Sequence, residues 1–279
     1  MLVKTKEKLR NELNKLREKG GTVGLVPTMG ALHPGHLSLI KRAVSENETV
    51  VVTIFVNPTQ FNDKTDLKRY PRNLEADLKL LENAGCSIIF APDTSEIYPE
   101  PDTRTFDFGI LDKVMEGKHR KGHFNGVAQI VSILFELINP GKAYFGLKDF
   151  QQLVIIKKLT GMLNLQTEII PCPIIREPNG LAMSSRNELL TAEERDNASL
   201  IYNTLREANN LTGKKSVKEL INWVINTINS NPFLTVDYFE IVNDKDLQPV
   251  DSWEADCKKV ACIAVYCGKI RLIDNYFLN

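Results

Sequence analysis

Apolar positions recur along the chain in two rhythms. Leu2, Leu9, Leu13 and Leu16 share one side of a stretch otherwise rich in Lys, Glu and Asn, which predicts an amphipathic helix over about 3–18. Short apolar runs then alternate with helical patterns. "TVGLV" predicts a strand at about 22–26, and a helix starts near Gly35. "TVVVTIFV" (Thr49–Val56) predicts the next strand. "NLEADLKLLENAG" predicts a helix that stops on Gly85 and leads into "CSIIFAP". "HFNGVAQIVSILFELINPG" predicts a long helix stopped at Pro140-Gly141. The strand "KAYFG", the helix "DFQQLVIIKKLTGML" and the strand "QTEIIPCPII" follow. Strands that are apolar throughout and alternate with helices predict an α/β fold, a parallel sheet covered on both faces.

The rhythm changes after about Ile175. Two helical patterns come in succession, "TAEERDNASLIYNTLREANN" and "SVKELINWVINTINS". The apolar runs "TVDYFEIV" and "KKVACIAVYCGKIRLIDNYFL" complete the chain. Helices followed by an antiparallel sheet predict a smaller α+β domain. The segment "PCPIIREPNG", with its three prolines and glycine, fits a hinge. The expected division is 1–175 and 176–279, with no internal repeat and no low-complexity tract.

Composition adds exclusions. The chain has 279 residues, 43% hydrophobic and 25% charged, enough for one large domain or two modest ones with a substantial core. Thirty-five basic and thirty-five acidic side chains cancel, so no global field points to nucleic acid, and an anion site must be local. The apolar runs are too short to span a membrane. The charged N-terminal helix is not a signal peptide. Five cysteines make an odd count without a CxxC pair, which fits reduced, buried thiols in a cytoplasmic protein.

Candidate chemistry starts in "PTMGALHPGH" (Pro27–His36), after the first strand of the predicted sheet. Open parallel sheets bind ligands where strands end and helices begin. Gly30 and Gly35 let backbone N–H groups come close to a ligand. A helix starting near Gly35 offers unpaired N–H groups and a positive dipole end to an anion. Two of the chain's four histidines, His33 and His36, sit here as donors for phosphate oxygens, and a nearby phosphate favours their charged form. The pattern is neither GxGxxG nor a Walker loop. It is HxGH, which resembles the signature of the nucleotidylyltransferase and class I aminoacyl-tRNA synthetase superfamily. The alternative is a tight turn whose histidines satisfy local backbone groups.

Further segments carry related chemistry. In "REPNGLAMSSRNELLT" (Arg176–Thr191), Ser184, Ser185 and Arg186 bring two hydroxyls and a guanidinium into one loop, a combination suited to phosphate oxygens. The same residues also fit a helix-capping turn before "TAEER". In "AYFGLKDFQQL" (Ala143–Leu153), Gly146 allows close approach and Lys148 reaches a phosphate. Asp149 either caps the helix or holds a ribose, and Gln152 lies one turn on. In "FVNPTQF" (Phe55–Phe61), the amides of Asn57 and Gln60 suit a ligand with hydroxyl and carboxylate groups, although Asn57-Pro58 alone makes a turn. "EGKHRKGHFNG" (Glu116–Gly126) holds the other two histidines. Arg120 and His123 are placed to join the cleft, whereas Lys118 and His119 fit a solvated loop.

Taken in order, "PTMGALHPGHLSLI", "FVNPTQF", "YPRNLEADL", "RKGHFNGV", "FGLKDFQQL" and "REPNGLAMSSRN" resemble the pantothenate synthetase (pantoate–β-alanine ligase) family. The resemblance implies a Rossmann-like N-terminal domain, a smaller C-terminal lid and a homodimer. It implies condensation of (R)-pantoate with β-alanine through a pantoyl adenylate, using ATP with Mg²⁺ and releasing AMP and pyrophosphate. Matching positions assign ATP to Met29, Gly30, His33, Gly35, His36, Gly146, Lys148, Asp149, Ile175, Met183, Ser184, Ser185 and Arg186. Of these, His36, Lys148, Arg186 and the two serines would stabilise the reacting phosphates. Gln60 and Gln152 would bind pantoate, with Asn57 and Arg120 nearby. Tyr70 and Asp77 fall in a matching segment, Asp77 as the candidate metal contact. Two departures stand out: Lys121 replaces a proline common after the arginine in relatives, and Leu147 replaces an often polar residue.

Other readings remain. A nucleotidylyltransferase that acts on a phosphate substrate would want more cations than the neutral Gln60 and Gln152 supply. A nucleotide-binding module without turnover has no need of His36, Lys148 and Arg186 together. A tRNA-acting synthetase lacks an evident basic surface.

Overall fold

The computed structural model describes residues 1–18, 20–62 and 64–279, with Lys64 described by its backbone alone. Strands β1 (Leu2–Val3), β2 (Val23–Thr28), β3 (Thr49–Ile54), β4 (Ile88–Phe90), β5 (Lys142–Gly146) and β6 (Glu168–Cys172) form one parallel sheet in the order β1-β4-β3-β2-β5-β6. Between them run α1 (Lys6–Arg17), α2 (Pro34–Glu46), α3 (Lys64–Arg69), α4 (Leu74–Asn83), α5 (Thr94–Ile97), α6 (Met115–His119), α7 (His123–Ile138) and α8 (Phe150–Met162). Successive strand residues point to opposite faces. Leu25 and Val51 pack with Leu9, Leu13 and the apolar side chains of α7 and α8. Val26, Val50 and Val52 pack with Ile40 of α2 and Leu81 of α4. The expected two-sided α/β sheet is therefore present.

Some boundaries differ from the sequence reading. Leu2 and Val3, expected in the first helix, extend the sheet edge by pairing with Ile89 and Phe90. Helix α1 starts only at Lys6 because the Thr5 side chain accepts from Lys8 N and caps it. The last strand stops at Cys172, before Pro173, which has no N–H to give; Pro171 is tolerated because β6 is an edge strand.

The C-terminal part is α9 (Ala192–Leu211) and α10 (Val217–Asn229) over an antiparallel sheet of β7 (Leu234–Asn243), β8 (Lys259–Cys267) and β9 (Ile270–Leu278). Capping boxes open both helices, Thr191 with Glu194 and Ser216 with Glu219. One face of this sheet supplies Ile241, Ala261 and Ile263 to a core under α9 and α10. The other face contributes Val242, Val260 and Cys262 to the core of the parallel-sheet unit. The small sheet is thus docked on the larger unit by apolar burial.

The chain runs outward from β2 through β3 to β4, then returns to the other side of β2 for β5 and β6. The reversal opens a crevice at the carboxyl ends of β2 and β5, the place where such sheets bind ligands.

Candidate active site

A cavity of about 230 Å³ fills that crevice. Its floor is the end of β2, Pro27 to Met29, and the end of β5, Tyr144 to Gly146. The loop after β2 turns on Gly30 (φ +79°) and Ala31 (φ 50°). Asp77 of α4, 3% exposed, fixes this turn by accepting from Ala31 N (3.0 Å) and Leu32 N (2.8 Å). The carboxylate read as the candidate metal contact thus accepts one backbone amide at each oxygen and is not among the residues of the cavity wall. Gly30 is not on that wall either. A Cβ there would lie 2.9 Å from an Asp77 carboxylate oxygen, so this glycine serves the turn.

The two histidines cap α2. Nδ1 of His33 accepts from Gly35 N (3.1 Å), and Nδ1 of His36 accepts from His33 N (3.3 Å). The proposed local turn is thus real, and it also sets the chemistry. An imidazole that accepts at Nδ1 carries its proton on Nε2, so each ring keeps an Nε2–H to donate. Burial, helped by Lys148, lowers the pKa of His33 to about 4. Burial, helped by His33, lowers that of His36 to about 3. Without a bound anion the protein holds both rings as neutral donors; the charged form expected from the sequence was that favoured by a nearby phosphate.

This has a pH consequence. The unfolded chain takes up these protons near pH 6.5 and the folded chain does not. Stability is therefore full above about pH 6.5 and falls with pH toward 4 and below. His36 contributes a slope of about 1.4 kcal/mol per pH unit across that window. Thermal denaturation between pH 8 and 5 should show this decline, and His36→Asn should flatten it. An unchanged slope in that variant would show that His36 titrates normally in the fold.

Lys148, Asp149 and Gln152 reach the cavity from the turn Leu147–Asp149 and the start of α8. Asp149 occupies the N-cap position of α8, but its side chain makes no capping bond. The turn is anchored from the C-terminal sheet: the Asn275 amide, 3% exposed, donates to Leu147 O (2.8 Å) and Lys148 O (2.9 Å). Next to it, Asp274 accepts both arms of Arg176 (2.6 and 3.0 Å), which also donates to Gly180 O. Adjacent residues of β9 therefore hold the Lys148 turn and the base of the 176–186 loop.

That loop folds back over the cavity. Met183 N donates to Ile175 O (2.9 Å), and Ile175, Met183, Ser184, Ser185 and Arg186 all line the wall. Ser184 caps the short turn Ser185–Leu189 by accepting from Arg186 N (3.3 Å), while α9 has its own cap in Thr191. Arg186 pairs with Asp66 at 3.0 Å, and the Tyr70 hydroxyl lies 3.4 Å from that of Ser185.

On the far side, Gln60 follows the turn capped by Asn57. Asn57 lines the cavity but is 1% exposed, and its amide is fully used. It donates to Gly126 O (2.9 Å) and accepts from the Tyr98 hydroxyl (2.9 Å) and Thr59. It shapes the wall rather than offering a free group. Gln60 donates to the Met29 sulfur (3.1 Å), and its backbone oxygen meets His123 Nδ1 (2.8 Å). Arg120 lies outside this cavity, in a smaller one beside it. His119, expected in a solvated loop, instead lies 3.2 Å from Asp237 of β7. Sequence reading missed the apolar wall of Val127, Ile130, Val131 and Leu134. Its one signal was that α7 is apolar nearly all round.

Residues 1–277 match the family model described as pantoate-beta-alanine ligase. The chain belongs to the pantoate-beta-alanine ligase family. It is 54% identical over 274 residues to a pantothenate synthetase of Bacteroides fragilis, covering 98% of this chain and 97% of that one. With a pantothenate synthetase of Porphyromonas gingivalis it shares 53% over 267 residues, 96% and 95% of the two chains. Among solved structures, the enzyme from Thermus thermophilus superposes with a TM-score of 0.92 at 41% identity, covering 99% and 98%. The Francisella tularensis ligase, solved with beta-gamma ATP and beta-alanine, gives 0.84 at 36% identity, covering 99% and 97%. The fold class expected from the sequence is that of these ligases, and the activity is ATP-dependent ligation of pantoate to β-alanine.

Proposed function

We propose that the 230 Å³ cavity forms pantoyl adenylate from ATP and pantoate and then passes the pantoyl group to β-alanine. The observation that carries this reading is the convergence on one crevice of His33, His36, Lys148, Ser184, Ser185 and Arg186 together with Gln60 and Gln152. The cations and N–H donors among them suit a triphosphate. Neutral amides beside the apolar Val127, Ile130 and Val131 suit a small dimethylated hydroxy acid. This pairing disfavours a phosphate as the acceptor substrate.

A carboxylate is a poor acyl donor because its leaving group would be oxide. Attack of the pantoate carboxylate on the α-phosphorus releases pyrophosphate and leaves AMP as the later leaving group. Charge develops on the phosphoryl oxygens, where Lys148, Arg186, the serine hydroxyls and the imidazole Nε2–H groups stabilise it. The amine of β-alanine then attacks the acyl carbon, and orientation supplies most of what that step needs. The 176–186 loop keeps water off the adenylate. We read residues 176–279 as the lid, with the loop as the part that opens, since apolar burial docks the sheet itself.

Among the described residues, no three His, Cys, Asp or Glu side chains are grouped to hold a metal, and Asp77 is engaged elsewhere. Magnesium in this reading arrives on the nucleotide's phosphates, and no residue is assigned to it. Family membership supports a homodimer and a cytoplasmic setting. Among the described residues no helix is long and apolar enough to cross a membrane.

The test is ATP–pyrophosphate exchange with pantoate and Mg²⁺ present and β-alanine absent. Exchange that requires pantoate is expected, and exchange without it would sink the adenylate reading. The Gln152 side chain has no hydrogen-bond partner among the described residues and lines the cavity. Gln152→Ala should therefore raise the KM for pantoate about tenfold in this assay, with little change in that for ATP.

A further inference from the structure

Lys148 is supported from outside its own segment. The turn Leu147–Asp149 carries no side-chain cap, and neither does the start of α8 behind it. The hold comes from β9. Asn275 stands opposite Cys262 in the β8–β9 pairing, on the face that packs against the parallel-sheet unit. Its Nδ2 donates to Leu147 O (2.8 Å) and to Lys148 O (2.9 Å), one N–H for each carbonyl. Two residues further along the same face, the Phe277 ring meets Phe150 edge-on at 5.7 Å.

Asn275 is itself held firmly. Its own N–H donates to Asp274 Oδ1 (2.8 Å), and both oxygens of that carboxylate are engaged by Arg176. The Arg176 guanidinium in turn lies over the Tyr202 ring of α9, 3.9 Å from its centroid. The Asn275 amide is buried, so water is not at hand to replace its two bonds. At the other end of the connection, the Lys148 ammonium lines the reaction cavity without a hydrogen bond or ion pair to any described residue. A lysine head on a flexible four-carbon stem, with no protein partner of its own, takes its place from its backbone. That backbone is fixed by Asn275.

We propose that Asn275 is a positioning residue for adenylate formation: by holding both carbonyls of the turn, it aims the Lys148 ammonium at the reacting phosphates. Asn275 is not among the residues of the reaction cavity, so its action is through Lys148. The inference rests on the ligase reading above and adds to it a residue of the C-terminal sheet. It makes the docking of that sheet a condition of the first chemical step as well as of stability.

The test is a double-mutant cycle on the adenylation rate. In Asn275→Ala, single-turnover formation of the adenylate at saturating ATP and pantoate should slow by about ten- to a hundredfold, the scale of a misplacement near 1 Å. The KM for pantoate should stay within about threefold, because Gln152 is carried by α8, whose start remains packed through Phe150 and Phe277. In a Lys148→Ala background, adding Asn275→Ala should cost less than about twofold more, since the group it aims is gone. Asn275→Thr retains a strand former of similar size whose hydroxyl stops one bond short of the amide nitrogen. It should reproduce the loss, and it carries the same cycle if Asn275→Ala does not fold. A wild-type adenylation rate in either folded variant would overturn the assignment. So would a loss as large with Lys148→Ala as without it, or one matched by an equal rise in the KM for pantoate, since each marks general damage to the cavity. Absence of pantoate-dependent ATP–pyrophosphate exchange in the wild type would instead refute the underlying ligase reading.

Discussion

Lys148→Ala should slow pantoyl-adenylate formation by about 10²–10³-fold while leaving thermal stability nearly unchanged. The two expectations come from different parts of the same residue. Its backbone oxygen belongs to the fold, since Asn275 holds it and Leu147 O together. Its ammonium belongs to the cavity: it lines the wall and has no hydrogen bond or ion pair with any described residue. Removing it breaks no hydrogen bond or ion pair with a described residue and opens no apolar core. What is lost is a positive charge beside phosphates whose negative charge grows as the α-phosphorus is attacked, in a site with little water to compensate. Single-turnover formation of the adenylate is the measurement, because steady-state turnover is open to limitation by product release. A wild-type rate in Lys148→Ala would remove the residue from the chemistry. Lys148→Arg should restore part of the rate, since the charge returns with altered reach.

The same residue marks what the sequence made legible. A lysine after Gly146, at the end of a strand and the start of a helix, was readable from local pattern because β5 and α8 obey their own periodicities. The HxGH turn was readable for the same reason. What local pattern could not carry was which of several uses a polar residue would be put to. Asn57, Asp77 and Ser184 all sit near the cavity in sequence terms, and each has a capping or turn-fixing task visible only when its partner is in place. For Asp77 that partner is the loop 45 residues earlier, at Leu32 N. Asn275 was missed altogether, since nothing in "LIDNYFL" says that its amide will meet the Lys148 turn across 127 residues. Residues 176–279 were expected as a smaller α+β domain, without any sign of what its sheet would pack against. The alternate residues of β7 and β8 go to two cores, and an apolar run shows that a strand is buried without saying on how many partners.

Gly126→Ala should be strongly damaging, and its cause is steric. Gly126 lies in the first turns of α7, where a Cβ would sit 2.3 Å from Thr59 O and 2.6 Å from Gln60 N. Both are backbone atoms of the capped turn that presents Gln60, so no side-chain rotation relieves the clash. The turn is also tied to the helix by polar bonds, from the Asn57 amide to Gly126 O (2.9 Å) and between His123 and Gln60 O (2.8 Å). Separating the two elements stretches these bonds while it relieves the overlap. A stability loss of about 3 kcal/mol is expected from overpacking of this kind. Displacement of Gln60 by a fraction of an ångström should also raise the KM for pantoate and slow adenylation by at least about tenfold. The control is Gly161→Ala near the end of α8, where a Cβ would meet nothing within 4 Å. There the same substitution should stabilise by up to about 1 kcal/mol through helix propensity alone. Urea denaturation of both variants, with pantoate titrated in the exchange assay, checks the pair. Equal behaviour at the two sites would mean that α7 and the Gln60 turn are free to separate, and that this side of the cavity is built less tightly than the packing implies.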